Sequence, residues 1–91
     1  MRVVRATLAG TPHGPAHEDM LALISDLIWA HTAPAHGLEH VRTKASDEGM
    51  DVYLFLRAAS EDAALVQAHA ILASASPRFV SHGYYATATH R

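Results

Sequence analysis

The stretch Met50-Asp51-Val52-Tyr53-Leu54-Phe55-Leu56-Arg57-Ala58 constrains this chain more than any other. Strand side chains alternate between faces. Met50, Val52, Leu54 and Leu56 therefore share one face, and Asp51, Tyr53, Phe55 and Arg57 share the other. Both faces are apolar at the centre, and charge enters only toward the ends of the second. A strand apolar on both sides belongs inside a sheet, with something packed against each face. What covers Tyr53 and Phe55 is the functional question.

The flanking sequence supplies the rest of such a sheet. Arg2 to Ala9 reads as a strand with Val4, Ala6 and Leu8 on one side and Val3, Arg5 and Thr7 on the other. Gly10-Thr11-Pro12-His13-Gly14-Pro15 is a loop, with two glycines and two prolines in six residues. Pro15 or Ala16 opens a first helix, and Glu18 and Asp19 place negative charge at its positive end. Met20, Leu23, Ile24, Leu27, Ile28 and His31 follow at helical spacing. Leu21, Ser25 and Trp29 form a second line, so Trp29 borders the core or faces a partner. Pro34 and Gly37 end the helix.

Leu38 to Ala45 reads as a second strand, with Val41, Thr43 and Ala45 on one face and His40, Arg42 and Lys44 on the other. The polar turn Ser46-Asp47-Glu48-Gly49 joins it to the Met50–Ala58 strand as a hairpin. Ser60 is suited to cap a second helix, whose buried stripe is Ala64, Leu65, Ala68, Ile71, Leu72 and Ala75; Pro77 stops it. Tyr84 to His90 is the last strand. The order β-α-β-β-α-β predicts an α+β fold, the ferredoxin-like plait. In it a four-stranded antiparallel sheet carries two helices on one face, with strand order 4-1-3-2. Residues 1–91 form a single domain in this reading.

Bulk properties exclude several kinds of function. The formal charge of −2 offers no general attraction to nucleic acid or anionic membrane. With no cysteine there is no disulfide framework, zinc–thiolate site or thiol nucleophile. No apolar run approaches the roughly 18 residues of a membrane span. The N-terminus lacks the apolar core of a signal peptide, so a cytoplasmic protein is expected. Histidine is abundant: protonating all eight would move the formal charge from −2 to +6. A change of assembly or stability in mild acid is therefore expected.

The face opposite the helices is predicted to carry Tyr53, Phe55, Val3, Arg5, Thr7, His40, Arg42 and Lys44. The spacing Tyr53-x-Phe55 resembles the RNA-recognition motif, in which strand aromatics stack on bases. The chain departs from that motif at Asp51, Val52 and Leu54, where the motif wants a basic residue, a glycine and a small residue, and no nucleic-acid partner is expected. An apolar patch of this kind marks an interaction site. Arg5, Arg42, Tyr53 and Phe55 are the expected contact residues of a homo-oligomer.

Two families share the predicted topology. Leu8-Ala9-Gly10-Thr11-Pro12-His13-Gly14-Pro15 followed by Met20-Leu21-Ala22-Leu23-Ile24 resembles ACT-type ligand-binding domains, which bind small molecules beside such a loop at a subunit interface. That resemblance implies Gly10, His13, Gly14 and His17 as ligand-binding residues. Ala68-His69 and Ser76-Pro77-Arg78-Phe79 are similar to the dimeric α/β-barrel group, which includes cofactor-free monooxygenases and cyclases. That likeness implies a pocket between two sheets, closed around a hydrophobic metabolite, with His40 as first candidate acid/base.

No metal site is expected. The pairs His13/His17 and His36/His40 have the i, i+4 spacing of helical ligands, but one member of each lies off a helix. The serines lack a nucleophile-elbow setting, and neither Gly10 nor Gly14 leads into a phosphate-loop Lys-Ser/Thr. The expected protein is thus a small self-associating binding or regulatory domain without a cofactor. Its partners are itself and a small anionic or hydrophobic molecule, not a membrane. A cofactor-independent enzyme of the dimeric-barrel kind is the alternative.

Overall fold

In the computed structural model, which describes residues 1–90, the chain runs β1 (Arg2–Gly10), α1 (Glu18–Ala30), a 3-10 turn (Pro34–His36), β2 (Leu38–Ala45), β3 (Gly49–Leu56), α2 (Glu61–Ser81) and β4 (Tyr84–His90). The four strands form one sheet in the order β2-β3-β1-β4, and each neighbouring pair is antiparallel. This is the α+β ferredoxin-like plait, in the strand order expected from the sequence.

The alternation in β3 is realised. Met50, Val52, Leu54 and Leu56 are fully buried on the helix side, while Asp51, Tyr53 and Phe55 are half-buried on the other. Val4, Ala6 and Leu8 of β1 lie opposite Leu54, Val52 and Met50 and join the same core. From above, α1 adds Ile24, Leu27 and Ile28, and α2 adds Ala64, Ala68, Ile71, Leu72, Ala75 and Phe79. Each large apolar side chain removed from water in this layer contributes about 1.5–3 kcal/mol. The small side chains along α2 let that helix lie close to β1 and β3.

Gly49 opens β3 under a tight steric limit. A Cβ there would overlap the carbonyl oxygen of Leu8 and crowd the Gly10 nitrogen. Its carbonyl accepts from Ala16 N at 2.9 Å and from Ser46 N at 3.1 Å, while Gly10 N donates to Glu48 O at 2.8 Å. The hairpin turn and the β1–α1 connection are thus fastened at one point.

Several boundaries differ from the sequence expectation. α1 begins at Glu18 rather than at Pro15 or Ala16, because Ala16 N is engaged by the Gly49 carbonyl and His17 takes the extended cap conformation. β1 runs one residue further, to Gly10. β3 ends at Leu56 rather than Ala58, since Arg57 N leaves the ladder to donate to Gly37 O at 2.8 Å. α2 does not stop at Pro77; it continues to Ser81. The missing N–H and the ring clash of a helical proline cost about 3 kcal/mol. Phe79, fully buried on the last turn, offsets that cost by a comparable amount.

Gln67 ties the far end of the sheet. Its side-chain amide donates to His36 O at 2.6 Å and to Arg57 O at 3.1 Å. Gly37 sits between them in the left-handed region at φ 67°, where a Cβ would come within 2.6 Å of Arg57 O. Ser60 caps α2 by accepting from Ala63 N at 3.0 Å, as expected. Both edge strands carry a bulge, in β2 between Leu38 and His40 and in the β1–β4 ladder between Thr7 and Leu8. Bulged and charged edges resist pairing with foreign strands.

Candidate functional site

The face of the sheet turned away from the helices is built in rows by the strand register. Lys44, Asp51, Thr7 and Ala88 form one row across β2, β3, β1 and β4. Arg42, Tyr53, Arg5 and His90 form the next, and His40, Phe55 and Val3 a third. Adjacent strands lie about 4.8 Å apart, so each neighbour in a row is within side-chain reach. Arg5, His40, Arg42 and Lys44 are exposed, Val3 is 42% exposed, and the two central rings are only partly shielded.

On the β2 side of this face the surface dips into an open depression of about 310 Å³ lined by Arg42, Thr43, Lys44, Tyr53 and Phe55. Thr43 contributes its main chain, since its hydroxyl turns to the helix layer and donates to Leu21 O at 3.2 Å. Two aromatic rings thus form one wall beside two cationic heads. Arg5 stands on the opposite side of Tyr53, on β1. Three of the four expected contact residues, Arg42, Tyr53 and Phe55, meet in the depression, and Arg5 flanks it. Lys44 is a lining residue that the sequence reading placed on this face without assigning it to the site. Its signal was the alternation His40, Arg42, Lys44 along β2.

His40 lies against the Phe55 ring with centroids 5.4 Å apart and planes tilted by 49°. It is not among the residues around the depression. The imidazole packs against one ring of the aromatic pair, that of Phe55.

The charges are segregated between the two faces. The open face carries Arg5, Arg42 and Lys44 against Asp51 and, at the β2 bulge beside His40, the exposed Glu39, whereas the helices carry Glu18, Asp19, Asp26, Glu61 and Asp62 against Arg78. A chain of net charge −2 thus presents a basic sheet. The overall balance concealed this local field.

The segment between β1 and α1 forms a second concavity, of about 370 Å³. His13, Gly14 and His17 line it together with Pro12, Pro15 and, from the α2–β4 turn, His82 and Gly83. Gly10 is not part of it; it is the buried last residue of β1. His13 Nε2 pairs with the Tyr85 hydroxyl at 3.1 Å, and Thr11 N donates to Gly83 O at 2.8 Å, so the segment is fastened to β4. The Thr11–Pro12 peptide is cis. His17 caps α1 without a side-chain hydrogen bond, and Glu18 and Asp19 already complement the helix dipole there. Gly14 has open space where a Cβ would stand.

Most of the remaining histidines have structural partners. His31 Nδ1 pairs with Leu27 O at 2.8 Å, His36 Nδ1 accepts from Ala33 N at 3.1 Å, and His69 Nε2 pairs with Thr89 Oγ1 at 2.8 Å. Among the described residues no group of three or more His, Cys, Asp or Glu is placed to hold a metal ion. Among the described residues no helix is long and apolar enough to cross a membrane. Compared with protein-family models, curated proteins and solved structures, the chain matches none.

Proposed function

We propose that this chain is a self-associating binding domain in which two copies meet through their open sheet faces around a small anionic molecule. The observation that carries the reading is the pair Tyr53 and Phe55, half-buried at the centre of a sheet whose opposite face alone is covered by helices. Aromatic side chains of this size bury about 150–250 Å² each when covered. A second sheet laid over them would supply that cover, as in the arrangement of the dimeric α/β-barrel group.

The same face explains why a ligand belongs to the reading. Two identical basic sheets brought together would set Arg5, Arg42 and Lys44 of one copy near those of the other. Like charges at a desolvated interface are costly. An anion held between the sheets offsets that repulsion, so ligand and assembly favour one another by linkage. A regulatory role follows from this coupling. The test is sedimentation equilibrium of the wild type and of the double variant Tyr53→Glu with Phe55→Glu. The expected masses are those of a dimer and of a monomer, and an unchanged mass in the variant would place the interface elsewhere.

A further inference from the structure

We infer that the depression beside β2 is a binding site for a small aromatic monocarboxylate, its carboxylate held by Arg42 and Lys44 and its ring laid against Tyr53 and Phe55. This deepens the reading above by naming the ligand class, and it rests on the sheet face, not on the presence of a second copy.

Size is the first argument. At about 310 Å³ the depression lies at the low end of the roughly 300–1,000 Å³ typical of small-molecule pockets. It suits a compact, single-ring molecule.

Charge is the second. Arg42 and Lys44 line the space, and Asp51 stands directly opposite Lys44 in the β2–β3 ladder. Two cations and one carboxylate leave a single surplus positive charge, which one carboxylate neutralises. A di- or triphosphate would bring charge that this site has no cations to meet. Arg42 is the orienting group, because its planar guanidinium matches a carboxylate with two parallel hydrogen bonds. Lys44 adds a point charge from the adjacent row.

Surface chemistry is the third. Tyr53 and Phe55 project from alternate positions of one strand on one face, and the His40 ring packs against Phe55 without lining the depression. An aromatic ring gains edge or offset contacts there that an aliphatic chain of equal size does not. A nucleic-acid strand would need cations continued across the sheet. On the β4 side the rows end instead in Ala88 and in His90 beside Arg5, with no lysine or arginine on that strand among the described residues.

The experiment is isothermal titration calorimetry of the full chain with benzoate, acetate, benzyl alcohol, inorganic phosphate and a hexauridylate, with sedimentation of the same samples. Benzoate is expected to bind about tenfold or more tightly than acetate, which lacks the ring, and than benzyl alcohol, which lacks the charge. Arg42→Gln is expected to weaken benzoate about tenfold, Lys44→Gln severalfold, and Arg78→Gln on the helix layer not at all. Tighter binding of phosphate or hexauridylate, equal binding of acetate, or an Arg42→Gln variant that binds benzoate like wild type would each overturn the assignment. The two readings fail separately. A monomer that binds benzoate through Arg42 keeps the site and removes the sheet-to-sheet dimer. A dimer broken by Tyr53→Glu with Phe55→Glu but indifferent to benzoate keeps the dimer and removes the site.

Discussion

The His40 imidazole and the Phe55 ring lie 5.4 Å apart across the β2–β3 ladder, tilted by 49°. Phe55 is thereby braced on the exposed side of the sheet instead of rotating freely in solvent. His40→Ala removes the brace but neither ring of the Tyr53/Phe55 pair. With two copies associated as proposed, the expected outcome is a folded protein whose dimer is weakened, by about 0.5–1.5 kcal/mol for a lost aromatic contact. Sedimentation equilibrium over a range of concentrations measures that shift. A dimer constant equal to wild type would confine the pair to a local role.

Gly49 and Gly14 make a matched pair of tests. Gly49→Ala forces a Cβ into the Leu8 carbonyl, and overpacking of this kind costs about 1–3 kcal/mol or more. Gly14→Ala meets open space and is expected to stay within about 0.5 kcal/mol of wild type. Urea denaturation separates the two outcomes, and equal losses would contradict the backbone approach at Gly49.

The last turn of α2 gives opposing substitutions two residues apart. Phe79→Ala empties a fully buried site and is expected to cost about 3–5 kcal/mol. Pro77→Ala restores an N–H and relieves the ring clash, so it is expected to stabilise the protein by roughly 1 kcal/mol or more. Thermal unfolding reads both signs.

Gln67→Leu removes both hydrogen bonds to the His36 and Arg57 carbonyls. At about 0.5–1.5 kcal/mol for each bond, the expected loss is about 1–3 kcal/mol. Amide hydrogen exchange in the Pro34–His36 turn and at the end of β3 is expected to rise together. Exchange that rises at only one of the two would show that Gln67 does not couple them.

The architecture was legible because the alternating and helical patterns agree with one another. β2 and β4 have the bounds read from sequence, and Ser60 caps α2 as its chemistry requires. The misplaced ends have two different physical origins. α1 starts late because Ala16 is held by Gly49, a partner distant in the chain that no local pattern reveals. α2 passes Pro77 because Phe79 prolongs the Ala68, Leu72, Ala75 stripe. That signal was present in the sequence but was outweighed by the proline rule. The depression needed register as well as facing, since only pairing shows that Lys44 meets Asp51 and Arg42 meets Tyr53. Histidine contacts such as His13 with Tyr85 join the two ends of the chain and leave no local trace.

The bulge between Thr7 and Leu8 leaves Thr87 unpaired in the ladder, its hydroxyl donating to Thr7 O at 3.3 Å. Beyond it, the remaining residues of β4 are out of phase with those before it. Were Thr87 taken into the ladder opposite Thr7 instead, strict alternation would turn Ala88 and His90 toward the helices and Thr89 outward, parting Thr89 from His69 and removing His90 from the row beside Arg5. Deleting Thr87 would therefore remove the bulge and keep Ala88 and His90 on the open face, with strand order and core intact. The bulge thus lets β4 carry one residue more than its partner strand while the strand tail keeps its place on the sheet surface.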